Sequence, residues 1–155
     1  MLPRIAYVTG AGSPVPDPDL PLALAALARA GLDAEPVAWD AEVDWADFDM
    51  VLVRASCGYP LRRQEFLRWA RRVEDHTYLV NPALTLARNT DRTYLRDLQR
   101  QGVETVDTIW LEPGDSVADC EQEVRRRGWA GSVVSANVGG EARIEQDAGE
   151  EARLE

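Results

Sequence analysis

Short apolar runs alternate with segments of helical period along most of this chain. Residues 4–9 (Arg-Ile-Ala-Tyr-Val-Thr) form an apolar run closed by turn residues and predict a buried strand. Gly10, Gly12, Ser13, Pro14, Pro16 and Pro18 follow, with neither pattern, and predict a loop. Asp19 stands where it can cap a helix over about 20–30, rich in Ala and Leu, and Gly31 where it can end that helix. Residues 34–39 predict a second strand. Residues 50–54, apolar on both faces, predict a central parallel strand.

After a loop holding Ser56, Cys57, Gly58, Tyr59 and Pro60, a helix is expected over about 61–74, with Phe66, Leu67, Ala70 and Val73 as its apolar face. Residues 77–80 predict a fourth strand and Asn81-Pro82 a turn. A second long helix is expected over about 90–101, with Asn89 as N-cap and Gly102 as terminator. Residues 103–111 predict a fifth strand, 117–127 a third helix ended by Gly128, and 132–134 a sixth strand. Residues 141–155 hold six acidic and two basic residues without a strand pattern, and predict either a solvated terminal helix or a frayed acidic tail. Strands alternating with helices over this length imply βαβ units, hence an α/β, Rossmann-like parallel sheet with helices on both faces.

Composition narrows the chemistry. The 155 residues carry a net charge of −10, which argues against a nucleic-acid partner and against docking on anionic lipid. All 17 basic residues are arginine. A Schiff-base lysine, a lysine base and a P-loop lysine are therefore excluded, and any phosphate contact falls to arginine or to backbone N–H groups. Two cysteines without a CxxC, and a single histidine, give no zinc signature. No signal peptide and no 18-residue apolar stretch is evident, so the expectation is a cytoplasmic chain with reduced thiols.

Candidate site residues cluster after the predicted strands. Gly10 and Gly12 sit where a doubly wound fold brings backbone N–H groups near a ligand phosphate, but position 15 is Val15, so the dinucleotide fingerprint is incomplete. Arg54 ends the third strand, where such sheets bind ligands, and can clamp a carboxylate or phosphate. The alternative is an Arg54 paired with a neighbouring Asp. Cys57 lacks an evident base, and Cys120 reads as a packing residue. Asn89 and Asp91 suit a helix N-terminus, but Arg92 does not, unless it meets an anion attracted to that helix end. Trp39, Trp45, Trp69, Trp110 and Trp129 are spread along the elements and read as core or edge residues.

An ordered set of motifs covers about residues 4–115. It runs Asp49-Met-Val-Leu-Val-Arg54-Ala-Ser56-Cys-Gly-Tyr59, Glu65-Phe-Leu-Arg-Trp69, Leu79-Val-Asn81-Pro82, Asn89-Thr-Asp91-Arg92-Thr-Tyr94-Leu95, and finally Gly102-Val103 and Thr108. Together they resemble the front of ATP-grasp ligases, most of all the group with cycloserine-forming cyclo-ligases and glutathione-synthetase-like proteins. The resemblance implies a pre-ATP-grasp domain over residues 1–88 and a partial ATP-grasp subdomain over 89–140, followed by the tail at 141–155. It implies Arg54, Ser56, Tyr59 and Asn81 around an acceptor substrate, and Arg92, Gly10 and Gly12 towards a nucleotide. Full members use ATP and Mg²⁺ to turn a carboxylate into an acyl phosphate, which an amine then attacks.

The departures from that pattern are specific. The family's Trp-Asp-Tyr is Cys57-Gly58-Tyr59 here, and its ATP-contacting lysine is Arg92. Its Val-Val-Lys-Pro is Val133-Val134-Ser135-Ala136, and Asn137 to Gly140 stands where its glycine-rich loop would be. No segment matches the half that supplies the Mg²⁺ ligands. The expectation is thus a truncated or degenerate ligase-like chain without ligase activity alone, which retains amino-acid or nucleotide binding. The alternative is a stand-alone binding or scaffold subunit that pairs with another chain, as a homodimer or heteromer.

Overall fold

The computed structural model describes residues 2–10, 17–55, 58–138 and 142–146. The chain divides into two compact units, Met1–Arg92 and Thr93–Glu155.

In the first unit four strands, β1 (Arg4–Thr9), β2 (Asp33–Ala38), β3 (Met50–Ala55) and β4 (Tyr78–Val80), pair in parallel in the order β2-β1-β3-β4. The β1→β2 and β3→β4 steps run in opposite directions across the sheet. Right-handed crossovers therefore place their helices, α1 (Leu20–Arg29) and α2 (Arg63–Glu74), on opposite faces. All strand C-terminal ends lie along one edge, and the order reverses between β1 and β3.

The core follows from the strand period of two and the helix period of 3.6. Ala6, Val8, Val37 and Val51 meet Phe66, Trp69, Ala70 and Val73 of α2, and Trp39, Phe48, Leu79, Ala83 and Leu86 close the cluster. The aromatic rings interlock: Phe66 lies 5.3 Å from Trp69 in a stacked pair and 5.5 Å from Trp39 edge-on. The opposite edge is stitched by Arg4, whose backbone N–H donates to Asp49 Oδ2 at 2.8 Å and whose guanidinium donates to Glu35 at 2.9 Å.

Local details differ from expectation. Asp19 holds the N-cap position of α1 but makes no side-chain cap bond, because Pro21 lacks one of the N–H donors such a cap uses. Two residues earlier, Asp17 orders the approach to the helix, its Oδ1 accepting the Asp19 N–H at 3.0 Å. Gly31, at φ 79°, ends α1 as expected, with Leu32 N–H donating to Leu27 O. The helix expected from residue 61 opens with a 3-10 turn, Tyr59–Arg62. After β4 the chain forms a helix the sequence pattern did not announce, α3 (Ala83–Asn89). Asn89 is thus the last residue of α3 rather than a cap. The Ala83 N–H donates to the Glu74 carboxylate at 3.1 Å, a negative group at the positive helix end.

In the second unit α4 (Tyr94–Arg100) is shorter than the helix expected over 90–101, and Asp91 and Arg92 precede it. Residues 103–111 form no strand; they run as irregular chain. An alternating pattern makes a strand only where a partner edge is present, and none is paired with this segment here. α5 (Val117–Arg127) forms as expected, capped by the Ser116 hydroxyl and closed by Gly128 at φ 68°. β5 (Gly131–Ser135) pairs antiparallel with β6 (Ala142–Gln146). The start of the acidic tail is therefore a strand, because backbone pairing with β5 outweighs a side-chain composition without alternation.

Phe66 is 1% exposed at the centre of the aromatic cluster. Phe66→Ala is expected to cost about 3–5 kcal/mol in urea unfolding of the first unit. A loss below about 1 kcal/mol would mean that the cluster is not the core.

Candidate functional site

The C-terminal edge of the parallel sheet collects the chemistry. β1 and β3 keep register from Ile5↔Met50 to Val8↔Val53, and then slip: Thr9 stands opposite Ala55. Arg54 is the extra residue of this irregularity. A bulge leaves its residue outside the ladder and re-aims its side chain, and here it falls beside the point where strand order reverses. Gly10 follows Thr9 at the same edge.

Arg54 does not stand alone. One guanidinium nitrogen lies 3.5 Å from Asp19 Oδ2, with the two side chains 59% and 62% exposed. An exposed pair at this distance is worth little and gives way readily to a ligand. The Asp alternative for Arg54 is thus present, but as a loose contact. Below it Tyr7, 2% exposed, donates its hydroxyl to Asp17 Oδ2 at 3.2 Å. Burial is the main reason that its phenol ionises above the ordinary range. The Asp17 carboxylate adds to this, and the Arg54 cation opposes it. One cation, two carboxylates and a phenol therefore share the β1–β3 edge and the start of α1. The sequence pattern pointed to Arg54 but not to Tyr7, Asp17 or Asp19 as site residues. The Asp17-Pro18-Asp19 run ahead of α1 was the available signal.

Tyr59, half-buried, packs its ring 5.3 Å from Phe66 at the entry to α2. Asn81 is exposed at the end of β4, with φ 64°, a left-handed conformation that Asn tolerates better than most residues. Both follow strand ends on the edge that carries Arg54. Arg92 follows α3 in the chain, is half-buried and engages neighbours of its own. Gly12, Ser56, Cys57, Gly139 and Gly140 lie outside the described residues. Trp39 stacks under Arg62 at 4.7 Å, and Arg62 also pairs with Asp40 and Glu65, so the acid after β2 is already engaged. The Glu65 and Asp40 carboxylates hold the Arg62 guanidinium more firmly protonated than usual. Among the described residues no three His, Cys, Asp or Glu side chains gather at metal-binding spacing. Among them, too, no helix is long and apolar enough to cross a membrane.

Tyr7 generates a pH expectation. Its folded-state pKa lies above the unfolded value of 10.0, so the associated stability is complete below that pH and is lost as pH rises through the folded value. Absorbance titration is expected to show a tyrosine step displaced upward, and Asp17→Asn to move that step down. An unchanged step in Asp17→Asn would contradict the Tyr7–Asp17 contact.

Three similarities bear on this geometry. The family described as D-cycloserine synthetase DcsG, N-terminal domain, matches residues 5–81, the span from β1 to the turn after β4. The cycloserine biosynthesis protein DcsG of Streptomyces lavendulae is 36% identical over 111 residues, 71% of this chain and 37% of that protein. The crystal structure of D-cycloserine synthetase DcsG superposes with a TM-score of 0.77 at 31% identity, covering 92% of this chain and 50% of that one. The chain thus spans half or less of the relatives it matches. With its parallel four-stranded sheet and the helices around it, it belongs to the family of DcsG N-terminal domains, the front part of a cycloserine-synthetase-like ligase.

Proposed function

We propose that the first unit holds the amino-acid substrate of a cycloserine-synthetase-like, ATP-grasp carboxylate–amine ligation. The observation that carries this reading is the charge pattern at the bulge. Arg54 offers two parallel N–H donors to a carboxylate, and Asp19 and Asp17 offer acceptors to an ammonium group a few ångströms away. An amino-acid zwitterion satisfies both signs at once, and releases Arg54 and Asp19 from a weak mutual contact. A phosphate at the same place would face two carboxylates at the start of α1, which offsets the attraction of the helix end. Tyr59 and Asn81, on the same edge, are the remaining residues proposed for this substrate, with Ser56.

For the nucleotide, Arg92 is the residue of this chain proposed to meet a phosphate, and Gly10 and Gly12 the backbone positions. The described residues contain no carboxylate cluster fit to hold Mg²⁺, so no step through ATP·Mg²⁺ is derived from this chain. Within the cell such a protein would work in the cytoplasm, where ATP is supplied.

One observation favours the second reading, a subunit that pairs with another chain. None of residues 93–138 of the second unit is buried. Val133 and Val134 are adjacent in β5 and so face opposite sides of the hairpin; they are 60% and 50% exposed. A sheet needs at least one face covered to contribute stability. A polypeptide corresponding to the part of the Streptomyces protein that this chain does not span is the proposed cover.

Titration with D- and L-serine and other amino acids, followed by melting temperature, tests the first reading. At a ligand concentration of a hundred Kd, mass action contributes about 2.7 kcal/mol, enough to read as a clear upward shift. Arg54→Ala is expected to abolish the shift, and a shift unchanged in Arg54→Ala would overturn the assignment. A shift with ATP·Mg²⁺ that Arg92→Ala removes would instead place the nucleotide on this chain. Mixing the chain with the remaining half of the Streptomyces protein tests the second reading. A complex in size-exclusion chromatography, with slowed amide exchange at Val133 and Val134, is expected, and unchanged exchange would contradict it.

A further inference from the structure

We propose that Arg63 and Thr90 are positioning residues that set where Arg92 stands for a nucleotide phosphate. The proposal rests on the reading of Arg92 as the phosphate residue and adds what holds it in place. Arg63 is the first residue of α2. A cation there opposes the positive start of its own helix, so its position calls for another partner. That partner is the end of α3. Arg63 Nε donates to Thr90 Oγ1 at 3.1 Å, and Arg63 Nη2 donates to Ala87 O at 2.9 Å. Ala87 O is one of the last four carbonyls of α3, which the helix itself leaves without an N–H donor, and a cation suits that negative end.

Three observations make this contact a clamp. Thr90 is 7% exposed, buried although polar, and its hydroxyl donates in turn to Ala87 O at 3.2 Å, which closes a triangle of hydrogen bonds. Arg63 makes its two bonds from neighbouring N–H groups of one planar guanidinium, a geometry that a single ammonium does not reproduce. The two ends of the clamp adjoin the proposed site residues. Tyr59 shortly precedes Arg63 and packs on Phe66 of α2, while Asp91 and Arg92 directly follow Thr90 and end the same unit. Arg62, next to Arg63, is held by Asp40 and Glu65. The first turn of α2 is thus fixed, and through Arg63 it fixes the segment that carries Arg92. A ligation needs its carboxylate and its phosphate at reacting distance, and a misplacement of about 1 Å can cost about a hundredfold.

The probe is ATP without added metal ion, titrated into the ¹⁵N-labelled chain, with the Arg92 Nε–H resonance assigned through Arg92→Ala. The resonance is expected to move to saturation in the unaltered chain. Arg63→Gln and Thr90→Val are each expected to weaken this binding about tenfold, and the double variant no further than Arg63→Gln alone, because the two residues act as one clamp. Thr90→Ser keeps the hydroxyl and is expected to bind as the unaltered chain does, a rescue that a packing role for Thr90 does not give. Arg68→Gln, at an exposed position of the same helix, is expected to change nothing. An Arg92 signal that ATP moves equally in the unaltered chain, Arg63→Gln and Thr90→Val would overturn the positioning role alone. Equal weakening by Thr90→Ser and Thr90→Val would do the same. An Arg92 signal that ATP leaves unmoved in the unaltered chain would overturn the nucleotide reading, and the positioning role with it.

Discussion

The parallel pairing of β1 with β3 is the constraint on which the rest of the first unit depends. These are the two central strands. Ile5, Ala6, Tyr7 and Val8 are buried along β1, so their backbone groups must be paired, and β2 and β3 supply those partners. The ladder stays regular while both strands run through the core. It slips by one residue only at the edge, where Arg54 stands in place of another apolar residue. A charged side chain cannot enter the core without a large desolvation cost, and the slip removes it from the ladder as the strand reaches solvent. The fold and the candidate site thus share one cause.

The two units contrast in how they spend their apolar residues. In the first, Trp39, Phe66, Trp69 and their neighbours fill the space between one sheet face and α2. In the second, α5 carries ion pairs along its own length. Glu123 receives both Arg126 and Arg127, which hold its carboxyl down to about 2, and these bonds lie on an exposed helix face. Arg96 covers Trp110 at 4.6 Å and pairs with Glu112. Such contacts order a surface, and none of residues 93–138 is buried, which is the physical ground for seeking a cover for β5.

The legible part of the sequence was the part where local pattern and tertiary need agree. β1, β3 and α2 carry patterns that fit only one burial, and Gly31 and Gly128 end helices at the positive φ that glycine accepts without strain. α3 escaped because Asn81-Pro82 reads as a turn and Asn89 as a helix start. Glu74, at the end of α2 and on the other side of β4, supplies the carboxylate that meets the Ala83 N–H instead. Residues 103–111 alternate like a strand but have no edge to pair with, and β6 has an edge without the alternation. Arg54 was readable as a strand-end cation, whereas its acidic neighbour was not, because Asp19, 35 residues earlier, meets it only once β1 and β3 pair.

The charge arrangement at the bulge is tested most directly by the side-chain resonance of the Arg54 guanidinium, observed while the chain is titrated with serine, serinamide and ethanolamine. The account predicts that serine moves and sharpens the Arg54 Nε–H signal to saturation, while the two ligands without a carboxylate leave it unmoved. An Arg54 signal indifferent to serine, or one that responds alike to all three, would contradict it.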